Sequence, residues 1–121
     1  MKRIVIGLLL AAAVLALTQC EVLFGVEVKY EAGAALTGDS DSLQISYQAE
    51  SGELKEETAA PPWSTSFFIG ENDYPFLAFI RVTNNGAEDA DVAILLDDVS
   101  VSSGIATAGG GFVDCYAVIA E

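Results

Sequence analysis

Histidine is absent from all 121 residues. Its absence removes the commonest general base, and with it the Ser–His and Cys–His nucleophile pairs. Cysteine is scarce, with Cys20 and Cys115 alone. Two thiols without imidazole are too few for a zinc site built from the usual nitrogen and sulfur donors. Cations are scarce as well, five against 18 acids, for a formal charge of −13. Such a surface repels nucleic-acid phosphates and anionic headgroups; it suits solvation or a basic partner. Gly109-Gly110-Gly111 lacks the Lys-Ser/Thr of a phosphate-binding loop. The chain is expected to have no catalytic residues, no metal and no cofactor.

What is present begins with an export signal. Met1-Lys2-Arg3 carries two positive charges, residues 4–17 are apolar except for Gly7, and acidic residues begin at Glu21. A charged start, a short apolar stretch and a processing site make a secretory signal. The apolar run is 14 residues, against about 20 for a spanning helix. Leu17-Thr18-Gln19-Cys20 resembles the lipobox of bacterial lipoproteins, which implies diacylglycerol on the Cys20 thiol and cleavage just before it. Gln19 stands where that pattern has Gly, Ala or Ser. An ordinary cleaved signal and an uncleaved anchor are the alternatives.

Residues 1–19 are thus read as a signal peptide, 20–25 as a lipid-anchored tether and 26–121 as one domain. Cleavage removes 19 of 121 residues and leaves 102, with Lys29, Lys55 and Arg81 against all 18 acids, a balance of −15. A lipidated Cys20 is a thioether and cannot form a disulfide, so Cys115 reads as a buried small apolar residue.

Period-two alternation dominates the mature chain. Val26, Val28 and Tyr30 alternate with Glu27, Lys29 and Glu31; Leu43, Ile45 and Tyr47 alternate with Gln44, Ser46 and Gln48. Ser51-Gly52 predicts a hairpin between residues 43–49 and 53–58. The second arm is almost wholly polar, as befits an edge that discourages sheet-to-sheet pairing. Pro61-Pro62 ends that pairing, and residues 63–69 form the next strand. The apolar run 76–83, with Arg81 near its end, predicts a central strand. Asn84-Asn85-Gly86 is a hairpin signal, with 91–96 returning. Asp97-Asp98 turns into 99–102, and 112–119 closes the chain. Seven or eight short strands with regular turns predict an all-β fold, an antiparallel sandwich of two sheets. A small closed barrel is the alternative.

Several landmarks recur in order: Val28-Lys29-Tyr30-Glu31, Ile45-Ser46-Tyr47 before Ser51-Gly52-Glu53, Pro62-Trp63-Ser64, Thr83-Asn84-Asn85-Gly86, and a strand ending in the Asp97 turn. This order resembles the MmpS-like domain, named for small accessory proteins of mycobacterial lipid and siderophore exporters. The resemblance runs from about Gly25 to Ile119. It implies an immunoglobulin-like β-sandwich outside the cytoplasmic membrane, periplasmic or surface-exposed, with an accessory role beside a transporter or envelope protein. Members of that group carry a membrane helix, where this chain has a lipobox. Some also have a cysteine pair across the last strands, where this chain has Cys115 but Ala93.

The remaining candidates are contact residues. Paired carboxylates are abundant, but Asp97-Asp98 are sequence neighbours and read as a turn, not as a glycosidase pair. Two loops, Gly38-Asp39-Ser40-Asp41-Ser42 and residues 84–91, are rich in the oxygens calcium needs, though neither has EF-hand spacing; solvated loops are the simpler reading. Glu53, Glu56 and Glu57 mark a possible partner edge. Trp63 and Tyr74 are candidates for a ligand platform for sugar or peptide. The competing reading makes Trp63 a core residue locking the sheets together and Tyr74 a packed loop base. The expected function is that of a lipid-anchored, non-catalytic interaction module of the cell envelope; a lipoprotein binding glycan, peptide or calcium is the alternative.

Overall fold

A computed structural model describes residues 25–38 and 40–120, with the backbone alone at Glu71. The signal segment, Cys20 and tether residues 21–24 lie outside the described residues, as does Asp39. Eight strands and one 3-10 turn account for the regular structure. The strands are β1 (Val26–Ala32), β2 (Leu43–Gln48), β3 (Leu54–Ala59), β4 (Trp63–Ile69), β5 (Phe76–Asn84), β6 (Ala90–Leu96), β7 (Val99–Ala106) and β8 (Gly111–Ile119). No helix among the described residues is long and apolar enough to cross a membrane.

The strands form two four-stranded sheets, ordered β4-β1-β6-β7 and β3-β2-β5-β8, with every pairing antiparallel. The expected sandwich is therefore the fold. Alternation explains its interior: Val26, Val28, Tyr30 and Ala32 of β1 face Leu43, Ile45 and Tyr47 of β2 and Ala78, Ile80 and Val82 of β5, all buried. An immunoglobulin constant domain keeps its first two strands side by side in one sheet; here β1 and β2 lie in opposite sheets. The same happens at β5 and β6. The chain also changes sheet between β3 and β4, β4 and β5, and β7 and β8, and the order leaves β1 beside β6 and β2 beside β5 at the sandwich centre.

The β5–β6 crossing corrects one expectation. Asn84-Asn85-Gly86 does not close a hairpin, because β5 pairs with β2 and β8 while β6 pairs with β1 and β7. The reason lies in Asn84, which is buried. Its Nδ2 donates to the carbonyls of Glu88 (2.7 Å) and Ala106 (3.0 Å), and its Oδ1 accepts from the Gly86 amide (2.9 Å). The side chain satisfies a chain leaving one sheet for the other, as buried amides require. The tight hairpin comes later, at Asp97-Asp98, where both residues have positive φ (50° and 69°). Two left-handed residues are what a twist-matched two-residue turn needs. β7 continues to Ala106, beyond the expected 102.

The two sides of the sandwich differ. At the β7–β8 side a Cβ on Gly104 would sit 2.6 Å from Cγ2 of Val113, so the two edge strands meet closely there. At the other side β3 is exposed along nearly its whole length and stays open as an edge.

Candidate functional site

The acidic edge lies where the polar pattern placed it. β3 pairs with β2 alone, from Leu43↔Ala59 to Gln48↔Leu54. Glu53 precedes the strand, and its carbonyl accepts from the Ala49 amide at 2.8 Å. Glu56 stands opposite Ser46, on the outer face, and Glu57 opposite Ile45, on the inward-facing side. All three are exposed. The hydroxyl of Tyr47 donates to Oε2 of Glu57 at 3.3 Å. Burial, aided by the Glu57 carboxylate, raises the Tyr47 hydroxyl above its usual pKa. The acids therefore do not share one face. They line both sides of one open strand, whose far edge leaves main-chain groups unpaired.

Trp63 opens β4 opposite Ala32 and is half-buried. Its ring lies 5.4 Å from that of Tyr47, across the sandwich. The contact continues from Tyr47 to Tyr30 (5.5 Å), to Phe67 (5.9 Å) and to Phe76 (5.8 Å). Trp63, Tyr30 and Phe67 come from one sheet and Tyr47 and Phe76 from the other, so this row of tilted rings ties the sheets together at spacings aromatic pairs favour. Trp63 is its outermost member, packed inward on one side and wet on the other. Tyr74 lies beyond the other end of β4, in the loop before β5, half-buried against the core. Seven residues of strand separate the loops at the two ends of β4, so Trp63 and Tyr74 do not converge on one platform.

The sharpest polar feature of the core is one the sequence did not reveal. Tyr30 is fully buried, yet its hydroxyl donates to the Gln48 carbonyl (2.7 Å) and accepts from the Phe79 amide (3.2 Å). The register between β2 and β5 runs from Leu43↔Asn84 to Tyr47↔Ile80. The hydroxyl thus enters from the opposite sheet just where that ladder stops and caps one group on each strand. Burial raises its pKa well above the usual tyrosine range. Asp97 performs a similar service at the surface: its Oδ1 accepts from the Glu27 amide (3.0 Å), and its own amide donates to the Glu27 carbonyl (3.0 Å). Cys115 is a buried free thiol, 3.9 Å from the Val92 carbonyl, and burial raises its pKa.

The second oxygen-rich loop, residues 84–91, is partly used internally. Asn84 is occupied as described, and Oδ1 of Asp89 accepts from the Ala108 amide at 2.9 Å. Among the described residues no three metal-ligating side chains gather. A shallow depression of about 180 Å³ lies between Pro61, Leu36, Ser42 and Glu88; its lining brings no acid–base pair together.

A second feature escaped the sequence reading. The run 76–83 is the central strand its pattern predicts, but β5 also alternates, with Leu77 and Arg81 exposed and Phe79 half-buried. Beside it β8 turns Phe112, Asp114, Tyr116 and Val118 outward. Arg81 makes a two-point pair with Asp114 (2.6 and 2.9 Å) and lies 4.8 Å over the Phe112 ring. That pair raises the pKa of the guanidinium and lowers that of the carboxylate. The signal available was period-two apolar placement on both strands of one pair, which marks an outer face as readily as an inner one.

Neither the protein-family models nor the curated proteins compared with this chain give a match.

Proposed function

We propose that this protein is a lipid-anchored, non-catalytic interaction module of the cell envelope, held outside the cytoplasmic membrane by Cys20. The partner surface is the open β3 edge with Glu53, Glu56 and Glu57. The observation that carries this reading is the edge itself: an exposed strand, paired on one side only, in a domain where three cations face 18 acids. An unpaired edge is a template for strand addition. Carboxylates on it select a partner with Lys and Arg and speed the encounter. The resemblance to MmpS-like domains supports a transporter or another envelope protein as that partner, and an immunoglobulin-like reading of the sandwich. Photo-crosslinkers along residues 50–58 in intact cells test it. They should capture one discrete protein, and charge reversal at Glu53, Glu56 and Glu57 should abolish the capture. A captured protein indifferent to that reversal would move the contact off this edge.

The second reading is a ligand-binding lipoprotein. It is favoured only by the half-wet ring of Trp63, since Tyr74 stands at the other end of β4.

A further inference from the structure

We infer that the outer face of β5 and β8, at the end where the tether attaches, rests on the lipid bilayer. The inference rests on the lipid-anchored reading and concerns which way the domain lies once anchored. β1 begins at Val26, opposite Ile69 at the end of β4. The short 70–75 connection keeps the start of β5 at that same end, and Phe76 pairs there with Ile119. Five residues lie between Cys20 and Val26. Fully extended at about 3.4 Å each, they reach roughly 17 Å. β1 lies in the sheet opposite β5 and β8, and sheets pack about 10 Å apart, so the tether is long enough to let the β5–β8 face come down on the membrane and too short to carry the domain far from it.

At that end the outer face of β5–β8 is apolar. Leu77 stands opposite Val118, and Phe79 opposite Tyr116. Leu77, Val118 and Tyr116 are 47%, 49% and 64% exposed. In register they form one contiguous patch, of the kind that marks an interaction site. Charge singles out the same face. The outward residues of β5 and β8 include two charges, Arg81 and Asp114, and these neutralise each other. The neighbouring strand β2 turns Gln44, Ser46 and Gln48 outward, and the outward carboxylate of Glu56 stands beyond it on β3, two strands from β5. The opposite sheet turns out Glu27, Glu31 and Asp91, with Lys29 as their cation. Phe68, Val99 and Ile105 are exposed there too, but Phe68 stands opposite Glu27, Ile105 opposite Asp91, and Val99 directly follows Asp97-Asp98. In a domain this acidic, the β5–β8 face is the one that approaches headgroups without electrostatic cost. Its leucine and valine enter the interface, and the Tyr116 ring lies at headgroup level.

The test is depth-dependent fluorescence quenching on the full chain in membranes. Single tryptophans are placed at Leu77→Trp, Val118→Trp, Phe68→Trp, Ile105→Trp or Phe112→Trp in a Trp63→Phe background, in vesicles of zwitterionic lipid carrying a shallow spin label. Quenching should be several-fold stronger at 77 and 118 than at 105 and 112, with 68 intermediate. Equal quenching at all five positions, or none at 77 and 118, overturns the inference. Positions 77 and 118 shielded from iodide yet untouched by lipid label overturn it in favour of a protein or second-copy interface. Intact mass, read on the same sample, separates the two claims. Lipid on Cys20 without quenching sinks the resting face alone; quenching without lipid on Cys20 sinks the anchor and keeps the face.

Discussion

Tyr30 joins both sheets through one buried side chain, with ring contacts to Tyr47 and Phe67 and hydrogen bonds to β2 and β5. Replacing it with Phe keeps the packed ring but strands a carbonyl on β2 and an amide on β5. Leaving buried groups unsatisfied costs about 1–3 kcal/mol, so Tyr30→Phe should lower stability by that amount in chemical denaturation. The same hydroxyl sets an alkaline limit. Its pKa is raised on folding, so the native state holds a proton that the unfolded chain loses near the ordinary value of about 10. Stability is fully present below that pH and falls as pH rises through it. The fall should be shallower in Tyr30→Phe. Cys115, buried with a raised pKa, should resist thiol reagents in the native protein and react on unfolding; fast native reaction would mean the β7–β8 side opens. At this scale the sequence was legible only where chemistry repeats. The inward position of Tyr30 followed from alternation, but its two backbone partners are 18 and 49 residues away, which no local pattern encodes.

At the scale of elements, the strands and the Ser51-Gly52 and Asp97-Asp98 turns followed the pattern, and the Asn84-Asn85-Gly86 connection did not. Alternation located β1, β2 and β4 to within a residue, because one face of each is buried and the other wet. The polar arm was readable as an edge for the same reason. The β5–β6 crossing was not, because Asn-Asn-Gly is a local turn signal while the choice of sheet depends on where the Asn84 amide finds carbonyls. The candidate edge was therefore legible and the apolar outer face was not: an apolar run reads alike whether its second face meets protein or membrane. Trp63, the single tryptophan, reports on the β3–β4 side. Truncating a buried Trp costs about 3–5 kcal/mol; half-burial places Trp63→Ala nearer 2–3 kcal/mol, with the wild-type emission only partly blue-shifted and partly open to iodide. A variant that melts like wild type would detach Trp63 from the aromatic row. On the opposite side Gly104→Ala brings a methyl against Val113 and should lower the melting temperature, whereas an unchanged temperature would show that β7 and β8 can part without loss.

For the whole molecule, charge and the proposed attachment set the predictions. With 18 acids and three cations after residue 19, association with a basic partner should slow as salt rises, since screening shortens the reach of surface charge. Calcium should leave the melting temperature nearly unchanged, as Asn84 and Asp89 are already engaged. A site filled to 100 times its dissociation constant would add about 2.7 kcal/mol, and a calcium-specific rise of several degrees would expose one. The proposed partner edge and resting face both depend on the proposed tether to a membrane. Intact-mass analysis of protein extracted from membranes tests that tether directly. The mass should correspond to loss of residues 1–19 with lipid added at Cys20, and Cys20→Ala should be released or left unprocessed. A Cys20→Ala protein that stays membrane-bound with its mass otherwise unchanged would contradict the lipid anchor and leave the apolar run of residues 4–17 as the attachment.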